Sequence, residues 1–107
     1  MNPNDIVLDL ACGTGVVSNE VIKVMGNNND GNKSSHGILI GIDISRVALS
    51  IAKASISSSI MKPLFIEMDA ENLGFHQSFF SKILCQFGLM FFPNSRHVLK
   101  ELKKILR

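Results

Sequence analysis

The stretch from Ile6 to Gly15 constrains the fold of this chain more than any other. Residues 6–10 form an almost continuously apolar run, which is typical of a strand covered on both faces of a parallel sheet. Gly13 and Gly15 follow, and they allow a sharp turn that brings backbone amides close to a ligand. Apolar side chains then recur at helical spacing: Val16, Val17, Val21, Ile22 and Met25. The stretch therefore predicts a strand, a tight turn and a helix that ends by Gly26.

The same alternation of strand and helix continues along the chain. Apolar runs predict further strands over residues 38–43, 64–69 and 82–87. Strands that alternate with helices are typical of parallel sheets, because each crossover places a helix on a face of the sheet. The sequence therefore predicts an α/β fold, a three-layer Rossmann-like parallel sheet with helices on both faces.

Two more helices are predicted, one after the second strand and one after the fourth. Ser45 is a suitable N-cap for the first of them, and Asn94 or Ser95 for the last. The apolar side of the first is expected at Val47, Ala48, Ile51, Ala52 and Ile56. That of the last is expected at Val98, Leu99, Leu102, Ile105 and Leu106. Residues 26–36 carry no apolar side chain and predict a flexible surface loop.

The composition excludes several classes of function. A chain of 107 residues has room for one domain, and a formal charge of +2 is too small to indicate a nucleic-acid partner. Cys12 and Cys85 match neither a metal-ligand spacing nor a disulfide framework, so no metal site is expected. The sequence contains no run of 18 apolar residues, which would predict a membrane span, and the N-terminus lacks a secretory pattern. An intracellular, cytoplasmic protein is the resulting expectation.

Carboxylates stand at or near the ends of the first three predicted strands, at Asp9, Asp43 and Asp69. In open parallel sheets, ligands sit beyond the carboxyl ends of the strands. Asp43 can accept both hydroxyls of a ribose or support the next helix, and Asp69 can accept an adenine amine or cap its own loop. Ile44 can pack on an adenine face or belong to the core. Asp9 lies inside an apolar strand and needs a partner, which a cationic ligand would supply.

Four motifs follow one another along the chain. Residues 7–15 read VLDLACGTG, and residues 41–45 read GIDIS. Residues 68–73 read MDAENL and are followed by Phe75, and residues 85–93 read CQFGLMFFP. In this order they resemble the first, ribose-binding, adenine-binding and fourth-strand motifs of class I S-adenosylmethionine-dependent methyltransferases. The last motif is similar to that of the small-molecule branch, which includes quinone-biosynthesis-like enzymes.

The resemblance implies S-adenosylmethionine as cofactor and methyl transfer to a small-molecule acceptor as activity. It implies these cofactor-binding positions: Asp9, Ala11, Gly13 and Gly15 on the methionine part, Cys12 in the same turn, Asp43 on the ribose, Ile44 on the adenine face, Asp69 and Ala70 on the adenine edge, and Gln86 near the methionine end. Ala11 replaces a glycine common in the family, a mild departure. No catalytic base is assigned, and the candidate bases His76 and His97 are interpreted as surface residues.

The family pattern extends beyond this chain at both ends. The family usually places helices before the first strand and further strands, including an antiparallel pair, after the fourth helix. We therefore expect residues 1–107 to be the N-terminal half of an S-adenosylmethionine-binding methyltransferase domain, truncated after the fourth strand and its helix. The chain would end at Leu106 and Arg107 inside that helix, and the outer edge of the fourth strand would be open to association with another chain.

Two alternatives remain beside the methyltransferase. A fragment of an NAD-dependent dehydrogenase would use the same glycine turn, but Ser18 occupies the third glycine position of GxGxxG, and the pair Asp69 and Ala70 has no role there. A non-catalytic Rossmann-like binding or partner module would use the open edge of the fourth strand to dock on another protein.

Overall fold

The strands and helices of this chain alternate as the apolar pattern predicts. The computed structural model describes residues 4–26, 37–56, 63–85 and 94–107. Its elements are β1 (Ile6–Leu10), α1 (Val16–Gly26), β2 (Ile38–Asp43), α2 (Arg46–Ser55), β3 (Leu64–Glu67), β4 (Lys82–Leu84) and α3 (Ser95–Ile105). The third strand is two residues shorter than predicted. Most of the predicted loop over residues 26–36 and the end of the predicted fourth strand lie outside the described residues.

The four strands form one parallel sheet in the order β3-β2-β1-β4. In the register of the sheet, Leu8 of β1 stands opposite Ile40 of β2 on one side and Ile83 of β4 on the other. The chain first builds outward from β1 through β2 to β3, and then returns to the other side of β1. The strand order therefore reverses at β1, and in such sheets ligands bind beyond the carboxyl ends of the strands at this point.

Helices cover both faces of the sheet, which confirms the predicted three-layer α/β fold. On one face, Val7 and Leu39 pack with the buried side of α1, and Phe65 packs with α2. On the other face, α3 packs against alternate residues of β1 and β2. The buried side chains of that second layer are Leu8, Leu10, Ile40, Ile42, Ala70, Phe80, Val98 and Ile105. Strand residues therefore alternate between two apolar layers, as continuous apolar runs require.

Helix α2 begins at its predicted cap but buries only part of the predicted side. The Ser45 Oγ accepts a hydrogen bond from the Ala48 N–H at 3.2 Å, which confirms the N-cap. Leu49 and Ala52 are buried, whereas Val47 is 72% and Ile51 50% exposed. The apolar pattern was ambiguous because this helix carries apolar residues on two sides. In the structure, Leu49, which the prediction left out, packs together with Ala52 against Phe65 of β3.

Helix α3 also departs from its predicted apolar stripe and from its predicted end. The Asn94 side chain caps it by accepting from the His97 N–H at 3.1 Å. Val98 and Ile105 are buried, but Leu99 and Leu106 are exposed. The prediction that Leu106 and Arg107 lie inside the helix is wrong.

The last two residues run beside the segment that leads into β4. Leu106 has an extended backbone and forms an isolated parallel bridge with Phe80. The Phe80 N–H donates to the Ile105 carbonyl at 2.9 Å, and the Arg107 N–H donates to the Phe80 carbonyl at 2.9 Å. The Leu106 N–H still donates to the Leu102 carbonyl at 3.0 Å, so the chain leaves the helix at Leu106 and pairs with Phe80 from there on. Among the described strands, β4 lies at one edge of the sheet, as predicted.

A membrane-spanning helix and a metal site are the two features that the sequence analysis does not expect in this chain. In the described part of the chain, no helix is long and apolar enough to cross a membrane. Across the same residues, no group of three or more His, Cys, Asp or Glu side chains is arranged to hold a metal ion.

Gly41 of β2 lies where two other parts of the chain approach the sheet closely. A Cβ on this residue would stand 2.7 Å from Cδ1 of Phe65 and 3.0 Å from the Sγ of Cys12. Both distances are shorter than normal van der Waals contact. The missing side chain therefore lets the Phe65 ring lie across β2, against the residue that begins the glycine turn.

We predict that Gly41→Ala destabilises the protein by about 1–3 kcal/mol, because the ring of Phe65 or the turn must shift. The matched control is Gly74→Ala, where a Cβ would meet nothing within 4 Å. The control should leave stability unchanged or raise it slightly, since alanine restricts the unfolded chain. Urea unfolding of both variants gives the two free energies, and equal effects would contradict the packing argument.

Candidate functional site

The glycine turn and the end of β2 meet at the carboxyl edge of the sheet. The Cys12 N–H donates to the Ile42 carbonyl at 2.8 Å, which continues the pairing of β1 with β2 past the end of β1. The next amide, Gly13 N–H, donates to Oδ2 of Asp43 at 2.9 Å. The structure thus brings together the glycine motif and the acid of the second motif, which stand 30 residues apart in the sequence.

The turn between β1 and α1 places three residues in the left-handed region. Ala11 has a φ of 55°, Gly13 of 56° and Gly15 of 91°. A Cβ on Gly15 would also lie 3.0 Å from the Cβ of Ala52, so this glycine lets α2 approach the start of α1. The Asn19 N–H then donates to the Gly15 carbonyl at 2.9 Å, the first bond of the helix. The turn is therefore fixed by its own backbone and by α2.

The left-handed conformation of Ala11 costs more free energy than the sequence suggested. An L-residue with a Cβ pays about 1–2 kcal/mol in the left-handed conformation, whereas glycine adopts it freely. The family glycine at this position therefore has a conformational reason. Sequence reasoning treated the replacement as mild because the φ angle of Ala11 was not visible from the residue type.

Asp43 supports two segments through its two carboxylate oxygens. Oδ2 accepts from Gly13 N–H, and Oδ1 accepts from the Ser45 N–H at 2.8 Å. Ser45, not Asp43, is the N-cap of α2, although Asp43 holds the capping residue in place. Each carboxylate oxygen has two lone pairs, so a half-buried carboxylate with these two bonds can also accept from ligand hydroxyls.

Ile44 projects from the same edge and does not belong to the core. Its side chain is 71% exposed, directly after Asp43 at the end of β2. An exposed β-branched side chain beside a hydrogen-bonding carboxylate offers a small apolar surface. The alternative that Ile44 belongs to the core is therefore wrong, and its contact with an adenine face stays a prediction.

The third motif forms a compact turn after β3. Asp69 Oδ1 accepts from the Glu71 N–H at 2.9 Å, and the Asp69 carbonyl accepts from the Asn72 N–H at 2.9 Å. Asp69 therefore caps its own loop, while its side chain stays exposed. Ala70 is only 5% exposed, and its methyl group packs in the core, so only its backbone remains to contact a ligand.

Neither candidate histidine base is brought to the glycine turn by a hydrogen bond. His76 is exposed. A ring nitrogen of His97, Nε2, lies 3.0 Å from the Glu71 carbonyl, so this side chain ties α3 to the turn after β3. Gln86, the predicted contact near the methionine end, lies outside the described residues.

Asp9 is buried beneath the turn, and its partner belongs to the chain itself. The side chain is 1% exposed, and its Oδ2 accepts from the Ser18 Oγ at 2.6 Å. Burial raises the pKa of Asp9 above its ordinary value, and the negative charge of Asp43 adds to this. Hydrogen bonds from the hydroxyl and backbone N–H of Ser18 oppose the rise in pKa.

Ser18 was missed as a site residue by sequence reasoning. It was weighed only as a departure from a glycine pattern. The available signal was its place on α1, three and four residues before the buried Val21 and Ile22. A single polar residue on the apolar side of a helix needs a buried partner, and Asp9 was the acid without one.

Cys12 packs under the turn as a neutral thiol. Burial raises its pKa to about 12, and the charges of Asp9 and Asp43 contribute to the rise. A thiol with so high a pKa is protonated at neutral pH and is a poor nucleophile. The side chain therefore serves as a small apolar contact with Leu49, Ala52 and Phe65.

We predict that Ala11→Gly stabilises the protein by about 0.5–1 kcal/mol, because relief of the left-handed Cβ exceeds the entropy of the added glycine. The matched control is Ala54→Gly, which makes the same exchange at an exposed position inside α2. It should destabilise by about 0.5–1 kcal/mol. Chemical denaturation measures both, and two losses of similar size would contradict the strain at Ala11.

We predict that Asp9→Asn gains stability relative to the natural chain as the pH rises. The folded state holds a proton on Asp9 at pH values where the unfolded chain has lost it, so the natural chain loses stability between the ordinary pKa and the raised one. An asparagine has no such loss. Unfolding free energies at pH 5 and pH 8 give the difference at each pH, and a difference that shrinks with rising pH would contradict the pKa direction.

A family model supplies the first comparison with known proteins. Residues 7–107 match the model described as "Methyltransferase domain". The match begins at β1 and includes every described element, together with the glycine turn, Asp43 and the turn at Asp69.

Curated relatives and a solved structure agree with this match. The chain is 29% identical over 108 residues to the ubiquinone/menaquinone biosynthesis C-methyltransferase UbiE of Wigglesworthia glossinidia brevipalpis, covering 99% of this chain and 40% of that protein. It is 34% identical over 107 residues to the demethylmenaquinone methyltransferase of Thermotoga maritima, covering 100% of this chain and 41% of that protein. The plantazolicin methyltransferase BpumL, solved in complex with SAH, superposes with a TM-score of 0.75 at 25% identity, over 96% of this chain and 35% of that one.

The chain spans about two fifths of the length of these relatives. Within that span, the matched residues carry the parallel sheet, the glycine turn and the acid that holds it. The family model covers nearly all of the described structure. The chain therefore belongs to the methyltransferase domain family.

Proposed function

We propose that this chain carries the S-adenosylmethionine-binding half of a methyltransferase that acts on a small molecule. One observation carries the proposal: the glycine turn and the Asp43 carboxylate are joined by a 2.9 Å hydrogen bond at the carboxyl edge of β1 and β2. Such an edge is where Rossmann-like sheets bind nucleotides. The exposed side chain of Ile44 stands directly beside the carboxylate.

Each part of the cofactor has a suitable surface in this proposal. The carboxylate of Asp43 would accept the ribose hydroxyls, and Ile44 would pack against one face of the adenine. Asp69 and the backbone of Ala70 would contact the adenine edge. The amides of the glycine turn would lie against the methionine part, with Gln86 near its end. The residues fit because Gly13 lacks a side chain and a Cβ there would meet nothing within 4 Å, so a ligand can approach the backbone at this position.

The chain's own contribution to methyl transfer is binding and orientation. S-adenosylmethionine supplies an activated methyl group on a sulfonium. Holding the cofactor so that an acceptor atom can approach this methyl in line provides most of the acceleration. A base is needed only when the acceptor must lose a proton, and neither His76 nor His97 is assigned to that task.

A quinol-type ring is the acceptor class that the relatives favour. The two curated relatives are named for ubiquinone or menaquinone biosynthesis and for demethylmenaquinone methylation. Both align with almost the whole of this chain. We propose a related aromatic acceptor for the protein to which this chain belongs. We expect little methyl transfer by the 107-residue chain itself, because more than half of each relative has no counterpart in it.

Two further expectations belong to this proposal. The intracellular location expected from the sequence stays a prediction. Association through the outer edge of β4 also stays a prediction. Light scattering of the purified chain would separate a monomer from a protein that docks through this edge.

Titration calorimetry with three ligands tests cofactor binding. We predict that S-adenosylmethionine and S-adenosylhomocysteine bind the folded chain and that NAD does not. Asp43→Asn should weaken both by about 10–100-fold, since hydrogen bonds to a charged acceptor contribute about 1.5–3 kcal/mol.

The matched control is Glu101→Gln, which removes one negative charge from α3 and should leave both affinities unchanged. Circular dichroism establishes that each variant is folded. Binding of NAD alone would favour the dehydrogenase alternative, and binding of none of the three ligands by the folded chain would favour the partner module.

A further inference from the structure

The hydrogen bond between Asp9 and Ser18 joins the end of the central strand to the first turn of α1. Its length is 2.6 Å, and its two side chains are 1% and 0% exposed. Asp9 lies on β1 just before the glycine turn, and Ser18 lies on α1 just after it. The bond therefore closes the base of the turn, on the side away from the ligand edge.

The charges around Asp9 make its ionisation depend on Ser18. Burial and the negative charge of Asp43 on β2 both favour the protonated carboxyl. The neighbouring thiol of Cys12 is neutral and supplies no positive charge. On α1, the next charged side chains are Glu20 and Lys23, which are exposed and paired with each other at 3.3 Å.

On β4, the charged side chain nearest in register is Lys82, which stands opposite Val7 and forms an ion pair with Asp5 at 4.0 Å. Leu84, the residue directly opposite Asp9, is apolar. Among the described residues packed against Asp9, Ser18 thus provides the hydrogen-bond donors that favour the carboxylate. Removing its hydroxyl takes away one of these donors, so burial and repulsion are opposed less strongly.

We propose that Ser18 is a positioning residue for cofactor binding, whose hydrogen bond favours the carboxylate form of the buried Asp9 beneath the glycine turn and so favours a cationic ligand over a neutral one. This inference rests on the proposed function, because it takes the turn as the seat of the methionine part. Asp9 is too buried for direct contact with a ligand on the turn. It acts through the low-dielectric interior, where a charge is felt more strongly than in water.

The consequence is a selectivity between two chemically similar ligands. S-adenosylmethionine carries a positive sulfonium, whereas S-adenosylhomocysteine carries a neutral thioether in its place. An ionised Asp9 favours the first, and a protonated Asp9 does not distinguish them by charge. The ratio of the two affinities therefore reports the ionisation of Asp9, since most other contacts are shared by both ligands.

The test measures this ratio by titration calorimetry between pH 5 and pH 8. In the natural chain, the preference for S-adenosylmethionine should rise with pH as Asp9 loses its proton. Ser18→Ala should move the midpoint of the rise to higher pH, so that at a fixed pH below the midpoint a smaller fraction of Asp9 is charged and the preference is lower. Ser18→Thr keeps a hydroxyl and should restore the natural midpoint. Asp9→Asn should give a low preference that does not change with pH.

Ser50→Ala is the matched control, because it removes an exposed serine hydroxyl from α2 that donates to the Arg46 carbonyl of the same helix at 3.1 Å. Its profile should match the natural one. A carbon NMR titration of the Asp9 carboxyl, assigned by its loss in Asp9→Asn, gives the same midpoint without any ligand. This separates the two proposals: absence of binding with a shifted NMR midpoint counts against the proposed function alone.

Equal midpoints in the natural chain and Ser18→Ala would overturn the inference. If Ser18→Ala does not fold, the natural chain and Asp9→Asn decide the matter. If the natural chain and Asp9→Asn then show the same ligand preference at every pH, the inference is overturned. It is supported if the preference for S-adenosylmethionine rises with pH in the natural chain and in Ser18→Thr but not in Asp9→Asn.

Discussion

The hydrogen bond from the Gly13 amide to the Asp43 carboxylate is the contact on which the rest of this site depends. It joins the first turn of the chain to the end of the second strand, across 30 residues. The other oxygen of the same carboxylate holds Ser45, which caps α2. One side chain therefore sets the turn, the start of a helix and the surface that would face a ribose.

Beneath this contact, two features of the site do not favour folding. Asp9 is fully buried, and burial raises its pKa, while Ala11 adopts a backbone conformation suited to glycine. Such costs are common at functional sites and are offset by packing elsewhere. Here the offset comes from two apolar layers that enclose β1 and β2 on both faces.

Local sequence patterns predicted the elements better than they predicted which side chains face the core. The strand at 38–43 and the caps Ser45 and Asn94 follow from apolar runs and short polar side chains, and the structure has them. The exposure of Val47 depends on how closely α2 approaches Gly15, which is a property of two distant segments. The pairing of Ser18 with Asp9 is likewise a matter of how α1 lies on the sheet.

The sheet order has a consequence for how the molecule is made. Strand β1 is synthesised first, yet it is central and pairs with β4 near the other end of the chain. The Ile6 N–H bonds the Ser81 hydroxyl at 2.9 Å, a contact that spans 75 residues. During translation, the edge of β1 that pairs with β4 therefore stays unpaired while more than two thirds of the chain is made, whereas its other edge can already pair with β2. Contacts of such high sequence separation slow folding, and an unpaired apolar strand edge exposes the nascent chain to wrong partners during that interval.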